Sequence, residues 1–375
     1  MSQSRRAFLG TAVAGSASII PLLQARGMEA GNGISPRFDA NGVIRLNSNE
    51  NPHGPARAAV EAITGAFGDA NRYTQSNDAA LRAAVARRHG VKDENVLLGA
   101  GSGETLRICT EALTSNTAHL VAAAPTFEQP AAHMTRLGRE TRAPNVDALL
   151  RLDLGAMAAA APGAGLVFLC NPNNPTGTAY PLSDVLAFIK DVHRRAPDAF
   201  VLVDEAYFEY CDLPGYDTAI PAALDDPRII VARTFSKVFG LAGMRVGYGI
   251  AHASTIKRLE PWRLQNSVSA LSSAAAMASC ELTGHIKEQQ RMNGEARALA
   301  LKTLNDAGFK ALPTYTNFIM ADIRRDAKAF QDACAKEGVA IGRPFPPLNT
   351  HARISIGTMD EMRRALPVIT GLLKA

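Results

Sequence analysis

The sequence predicts an α/β fold: a three-layer α/β/α large domain around a mostly parallel sheet, followed by a small α+β domain. Three observations predict it. From Val96 onward, short runs that are apolar throughout alternate with helix-like stretches. Such runs mark strands buried on both faces, as parallel strands are. Several of them end in turns rich in glycine, proline and asparagine, at the strand ends where open α/β sheets bind ligands. Beyond a long helical region the alternation changes to a few strands and helices. A chain of 375 residues is long enough for one large and one smaller domain, and its core needs no disulfide or metal staple.

The elements follow in order. Ser4-Arg5-Arg6 precedes an apolar, Gly/Ala-rich run to about Leu23, with Ala25-Arg26-Gly27 as a small-x-small cleavage site. Residues 1–27 therefore resemble a twin-arginine signal, so the expected location is the periplasm. An uncleaved tail or a misassigned start would leave the protein in the cytoplasm. The run is too short and too rich in Gly, Ser and Thr for a stable membrane span. Residues 28–55 read as an extended arm, glycine-rich as far as Gly42. The large domain is expected over 56–265. Helical spacing covers 55–67, 79–89, 104–113, 128–137 and 182–195, and the strand expectations are 96–98, 119–122, 166–170, 200–203, 229–232 and 246–250. Residues 266–375 are expected to hold an interdomain helical region over 267–305, interrupted at Thr283-Gly284, and then the small domain. There, 309–312, 317–323 and 352–356 read as strands and 327–337 as a helix. A last helix starts at Thr358, which forms a capping box with Glu361.

Composition narrows the function. The chain is 47% hydrophobic and 20% charged, ordinary for a soluble globular protein. Its net charge of +5 is dispersed, with no basic run interleaved with aromatics, so nucleic acid is not an expected partner. The five cysteines are odd in number and lack C-x-x-C spacing, and no H-E-x-x-H occurs. Neither a disulfide framework nor a metal site is expected.

The chemistry concentrates in four segments. In Arg233-Thr234-Phe235-Ser236-Lys237, a lysine sits behind two hydroxyls among Phe235, Val238 and Phe239, with Arg245 downstream. Burial lowers a lysine's pKa and frees the amine as a nucleophile towards carbonyls. The hydroxyls and Arg245 suit a phosphate. Amine and phosphate site together fit an aldehyde cofactor with a phosphate handle, which describes pyridoxal phosphate. Gly99-Ala100-Gly101-Ser102-Gly103-Glu104 joins a strand to a helix, and its backbone amides would make an anion site; alone it is as readily a structural turn. Asn171-Pro172-Asn173-Asn174-Pro175-Thr176-Gly177 carries more asparagines than a turn requires, and Asn174 could hold its amide at a fixed point in a cleft. Asp204-Glu205-Ala206-Tyr207 follows a strand: a buried carboxylate needs a partner, which a protonated pyridine nitrogen would be, while a helix cap is the plainer reading.

With Asn47-Ser48-Asn49-Glu50-Asn51-Pro52, Arg72-Tyr73, Pro125-Thr126-Phe127, Gly243-Met244-Arg245 and Arg353-Ile354-Ser355-Ile356-Gly357-Thr358, these motifs resemble, in order and spacing, the fold-type I pyridoxal-phosphate aminotransferases of class I/II. Within them the chain is most similar to the histidinol-phosphate aminotransferase branch, from about Arg45 to the C-terminus. The resemblance implies pyridoxal 5'-phosphate as cofactor and residue roles. Lys237 would tether the cofactor and shuttle a proton, Asp204 would pair with the ring nitrogen, and Asn174 and Tyr207 would bond the phenolic oxygen. Phe127 would stack on the ring. Ser102, Gly103, Ser236 and Arg245 would bind the phosphate, with Tyr73 reaching it from a neighbouring subunit in a homodimer. Arg353 would clamp the substrate carboxylate. Asn49, Trp262 and Arg343 complete the expected substrate contacts. Departures from the branch lie in residues 34–38, at His53 and over 262–266, and Arg263 and Arg343 remain possible second anion contacts. The implied reaction moves an amino group between an amino donor and a 2-oxo acid. A decarboxylase or lyase on the same scaffold, or a silent cofactor-binding protein, stays open at this point.

Overall fold

The structure is a computed structural model that describes residues 42–375. The paired-arginine leader, the glycine-rich arm up to residue 41 and residues 34–38 lie outside the described residues. The described chain begins with β1 (Ile44–Leu46). Seven strands then form one sheet: β2 (Val96–Gly99), β3 (His119–Ala122), β4 (Thr141–Arg142), β5 (Ala164–Cys170), β6 (Phe200–Asp204), β7 (Ile229–Thr234) and β8 (Gly247–Ala251). Their order is β2-β8-β7-β6-β5-β3-β4. Only β8 runs against its neighbours; the other pairings are parallel.

The apolar runs form this sheet because both of its faces are covered. Val167, Leu169, Val201, Val203, Ile229 and Val231 pack into one cluster, while their alternating neighbours Leu166, Phe168, Leu202 and Ile230 pack into another. A strand presents successive side chains to opposite faces, so two apolar layers demand unbroken apolar strands. Each fully buried aliphatic side chain contributes roughly 1.5–3 kcal/mol of transfer free energy.

A second core lies beyond the long helix Thr283–Asp306. Ile286 at the start of that helix packs with the sheet, whereas Ala296, Ala300 and Leu304 pack with the C-terminal elements. There β9 (Phe318–Asp322) pairs antiparallel with β11 (His351–Ser355), and β10 (Val339–Ile341) pairs parallel with β1. The arm expected over 28–55 is thus not free at its end. Ile44 and Leu46 alternate with Arg45, and this short amphipathic strand buries its apolar side in the C-terminal core. The final helix, Met359–Lys374, has the expected capping box: Thr358 Oγ1 accepts from Glu361 N, and Glu361 Oε2 from Thr358 N.

Two expectations shift. The helical interruption falls between Cys280 and Thr283, just before the Thr283-Gly284 pair. Residues 309–312 give a single bridge, Ala311 to Ala321, instead of a strand; Pro313 follows and has no N–H to extend the ladder. All five cysteines are free thiols, four of them buried. Among the described residues no helix is long and apolar enough to cross a membrane.

Candidate active site

The C-terminal ends of β2, β5, β6 and β7 and the N-terminal end of the C-terminal core face one cavity of about 480 Å³. Ser102, Phe127, Asn174, Asp204, Tyr207, Lys237, Asn49, Arg343 and Arg353, all expected from the sequence, line it.

Lys237 lies just beyond β7, on a turn whose Phe235, Val238 and Phe239 are fully buried. Its Nζ donates to the carbonyl oxygen of Asn49 at 3.2 Å and sits 5.3 Å from the centre of the Tyr207 ring. Burial, with the Arg353 guanidinium nearby, pushes the amine down to about 8. About a tenth of it is therefore unprotonated near neutral pH, far more than for an ordinary lysine.

Asp204 ends β6 and is 3% exposed. Burial pushes its carboxyl up to about 7, against the pull of the Ala206 backbone N–H and of Lys237. Oδ2 lies 4.0 Å from Cys170 Sγ, and Oδ1 has no hydrogen-bond partner among the described residues. A buried orphan oxygen is costly unless something cationic or protonated meets it.

Behind Asp204 the charges are paired. Arg233 bonds Glu205 at 2.7 Å and Glu209 at 3.3 Å, and its guanidinium stacks 3.6 Å from the centre of the Phe208 ring. Glu205 also accepts from Thr218 Oγ1 and Ala219 N. The second acid of the Asp204-Glu205 pair is thus consumed inside the fold, which leaves Asp204 alone to face the cavity.

The glycine turn makes a cradle. Gly101 has φ +79°, and a Cβ there would collide with Arg245 Nη2, so the guanidinium lies directly against the turn. Arg245 Nη1 donates to Ser236 Oγ at 3.3 Å. The helix Ser102–Leu113 starts at the same place. A guanidinium, a hydroxyl and a helix N-terminus around one small space suit a phosphate. Gly103 adjoins them, and its carbonyl accepts from Gln129 Nε2 at 2.7 Å.

The three asparagines of the proline turn divide their work. Asn171 exchanges hydrogen bonds with the backbone of Tyr180, and Asn173 donates to Pro125 O and Thr176 Oγ1. Two of the three therefore serve the turn itself, contrary to the expectation that a turn does not need them. Asn174 alone points into the cavity, where its Oδ1 accepts from Arg353 Nη1 at 2.8 Å. Arg353, on β11, also donates to Asn47 O at 2.9 Å, and its Nε has no partner among the described residues. Burial pulls its guanidinium down to about 10. Asn49 ties the pieces together at a left-handed φ of 55°: its Nδ2 donates to Tyr207 Oη at 3.1 Å, its N to Ser355 Oγ at 2.8 Å, and its Oδ1 accepts from Ser355 Oγ at 2.8 Å.

Other expectations are not met in this cavity. Trp262, expected as a substrate contact, is 44% exposed and does not line it; Tyr73, expected to serve a neighbouring subunit's site, is 87% exposed. The Trp262 carbonyl accepts from Arg107. Arg263 is buried in an ion pair with Asp78 and does not line the cavity. His53 also lies outside the cavity lining; burial lowers its pKa. Conversely, Glu128, Cys170, Gln331 and Phe345 line the cavity without having been singled out. Glu128 adjoins Phe127 and Phe345 lies two residues from Arg343, so proximity to motif residues was the signal available.

A lysine that can be neutral, a lone buried carboxylate and an anion cradle around one space are the three requirements for holding pyridoxal phosphate. The orphaned Asp204 oxygen and the Gly101–Arg245 cradle fit its ring nitrogen and its phosphate. With the seven-stranded sheet, they define a fold-type I pyridoxal-phosphate enzyme. Residues 41–369 match the family Aminotransferase class I and II, and the chain belongs to it. A histidinol-phosphate aminotransferase of Moorella thermoacetica is 36% identical over 324 residues, 85% of this chain and 82% of that one. One from Bacillus licheniformis is 33% identical over 345 residues, 91% and 94% of the two chains. The crystal structure of histidinol-phosphate aminotransferase from Sinorhizobium meliloti in complex with pyridoxal-5'-phosphate superposes with a TM-score of 0.82 at 27% identity, covering 96% of this chain and 99% of that one. The protein is a pyridoxal-phosphate-dependent aminotransferase.

Proposed function

We propose that Lys237 is the tether and proton carrier of this transaminase, acting between an amino donor and a 2-oxo acid. The observation that carries this reading is an amine held at about 8 in the same cavity as the unpartnered Oδ1 of Asp204. When bound, pyridoxal phosphate supplies an electron sink for the charge that develops at the donor's α-carbon. Asp204 holds the ring-nitrogen proton, and Asn174 and Tyr207 bond the phenolic oxygen. Phe127 covers a ring face. Ser102, Gly103, Ser236 and Arg245 hold the phosphate. Arg353 fixes the donor carboxylate, a task its planar fork suits, and Asn49 positions Lys237 and Tyr207. Lys237 takes the proton from the donor α-carbon. In the second half-reaction, with a 2-oxo acid bound, the same amine delivers a proton to that acid's α-carbon.

Exposed Tyr73, with Phe67, Trp262 and Leu264 also exposed, supports a homodimer in which Tyr73 and Trp262 serve the partner's site. The paired arginines of the leader support export to the periplasm, tested by cell fractionation; a wholly cytoplasmic pool would oppose it.

The experiment is a donor panel with several 2-oxo acids on wild type and Lys237→Ala. Histidinol phosphate, the compound in the relatives' names, heads the panel beside aromatic and basic amino acids. Turnover that needs a 2-oxo acid and falls by three or more orders of magnitude in the variant, on the order of losing a general base and nucleophile, supports the reading. Undiminished turnover in Lys237→Ala, or turnover without a 2-oxo acid, opposes it.

A further inference from the structure

At the mouth of the cavity the protein pairs one of its own carboxylates with a binding-site arginine. Arg343 Nη2 lies 2.5 Å from Glu128 Oε1, and both residues line the cavity. The Arg343 guanidinium also sits 4.4 Å from the centre of the Phe345 ring, and Arg353 lies 4.5 Å from the same ring. Phe345 thus spaces two guanidiniums, so a ligand anchored at Arg353 would extend its side chain towards Arg343. The remaining Arg343 contact is a bond from Nη1 to Pro344 O at 2.9 Å, and Glu128 is its only carboxylate partner among the described residues. The Arg353 guanidinium is pulled down to about 10 mainly by burial; Tyr207 raises it, and of the pair Arg343 lowers it and Glu128 raises it. The side chains of Arg343 and Glu128 are 48% and 64% exposed, so water can replace either partner and the pair opens at small cost.

We propose that Glu128 is a specificity-determining residue: it occupies Arg343 as a built-in competitor, so a substrate bearing a second anionic group must displace a carboxylate that the protein itself supplies. This rests on the reading above in which Arg353 takes the substrate carboxylate. Substrates with uncharged side chains leave the pair closed and incur no such displacement. Carboxylate and phosphorus oxyanions share the chemistry that arginine recognises, and both are subject to it.

The test uses the cofactor-loaded protein and non-reacting ligands, so it does not depend on turnover. Calorimetry compares glutarate and 4-phosphonobutyrate with valerate, which has one carboxylate and glutarate's chain length. In Glu128→Gln the ratio of the valerate Kd to the glutarate Kd rises about fivefold, the size of an exposed ion pair, and the phosphonate ratio rises with it. In Arg343→Gln both ratios fall, and adding Glu128→Gln changes them no further. A phosphonate response without a glutarate response would assign the place to phosphorus oxyanions alone. Ratios that do not move in Glu128→Gln, or that move equally in the Arg343→Gln background, overturn the proposal. Failure of all three ligands to bind the wild type while donors still turn over overturns it as well. Absence of turnover with every donor strikes the aminotransferase roles instead and leaves the calorimetric result standing.

Discussion

Asp204 and Lys237 show how far position can move ordinary side chains. Burial raises the Asp204 carboxyl from 3.8 to about 7, so the cofactor-free fold loses stability as pH rises from about 4 through 7 and the carboxyl must ionise in a buried site where Oδ1 has no partner among the described residues. The sign follows from linkage: the folded state binds the proton more tightly than the unfolded state, and its advantage fades once the proton leaves. Asp204→Asn should therefore raise the melting temperature of the cofactor-free protein at pH 8, with the gain shrinking towards pH 4. In the loaded enzyme the same change should cost kcat about two to three orders of magnitude, as the loss of a preorganised electrostatic group does. Calorimetric scans at both pH values and steady-state rates check the two halves; a variant that is less stable than wild type at pH 8 would contradict the orphan-carboxylate account. For Lys237 the sign is reversed. The amine is charged below about 8 and neutral above it, so the rate at which cofactor-free protein captures added pyridoxal phosphate should rise with pH and level off above about 8. A rise continuing to the ordinary lysine range near 10.5 would mean that the amine is not buried as described.

At the scale of elements, sequence and structure agree where many residues carry the signal. The central strands were legible because two covered faces require unbroken apolar runs, and Leu182–Arg195 shows its helical period throughout. The strands β1, β4 and β10 have three, two and three residues, too few for a period to register, and partners distant in sequence specify them. The same limit applied to the site. Four motifs could be recognised as chemical, but which asparagine faces the cavity depends on what Tyr180, Pro125 and Thr176 already bond. Two substitutions probe these elements. Phe168→Ala, at a fully buried centre of β5, should cost roughly 3–5 kcal/mol in urea unfolding. Gly101→Ala would drive its Cβ into Arg245 at a positive φ, so it should weaken pyridoxal phosphate binding at least about tenfold, the loss of one charged hydrogen bond, with little change in kcat at saturating cofactor. Unaltered cofactor affinity in Gly101→Ala would remove the cradle from the phosphate site.

At the scale of the whole molecule, the helix Thr283–Asp306 contributes to both cores, and β1 returns from the N-terminal side to pair with β10. The cavity lies where those cores meet: Asp204 and Lys237 come from the sheet side, Arg353 from β11, and Asn49 follows β1 and bonds to both sides. Small relative movements of the two cores would change the Arg353–Asn174 and Asn49–Tyr207 distances together. If Tyr73 completes a neighbour's site, Lys237→Ala and Tyr73→Ala homodimers, each impaired alone, should regain activity when unfolded together and refolded as mixed dimers. Mixtures no more active than the average of their parents would argue for self-contained sites.

The central claim is that one amine, Lys237, holds the cofactor and moves the proton. Borohydride reduction of the loaded protein, followed by mass mapping of the peptides, tests it most directly. The expected result is a pyridoxyl group fixed on Lys237, complete loss of turnover, and no fixed group at any other lysine in Lys237→Ala. A pyridoxyl group on a different lysine of the wild type, or none on Lys237, would contradict it.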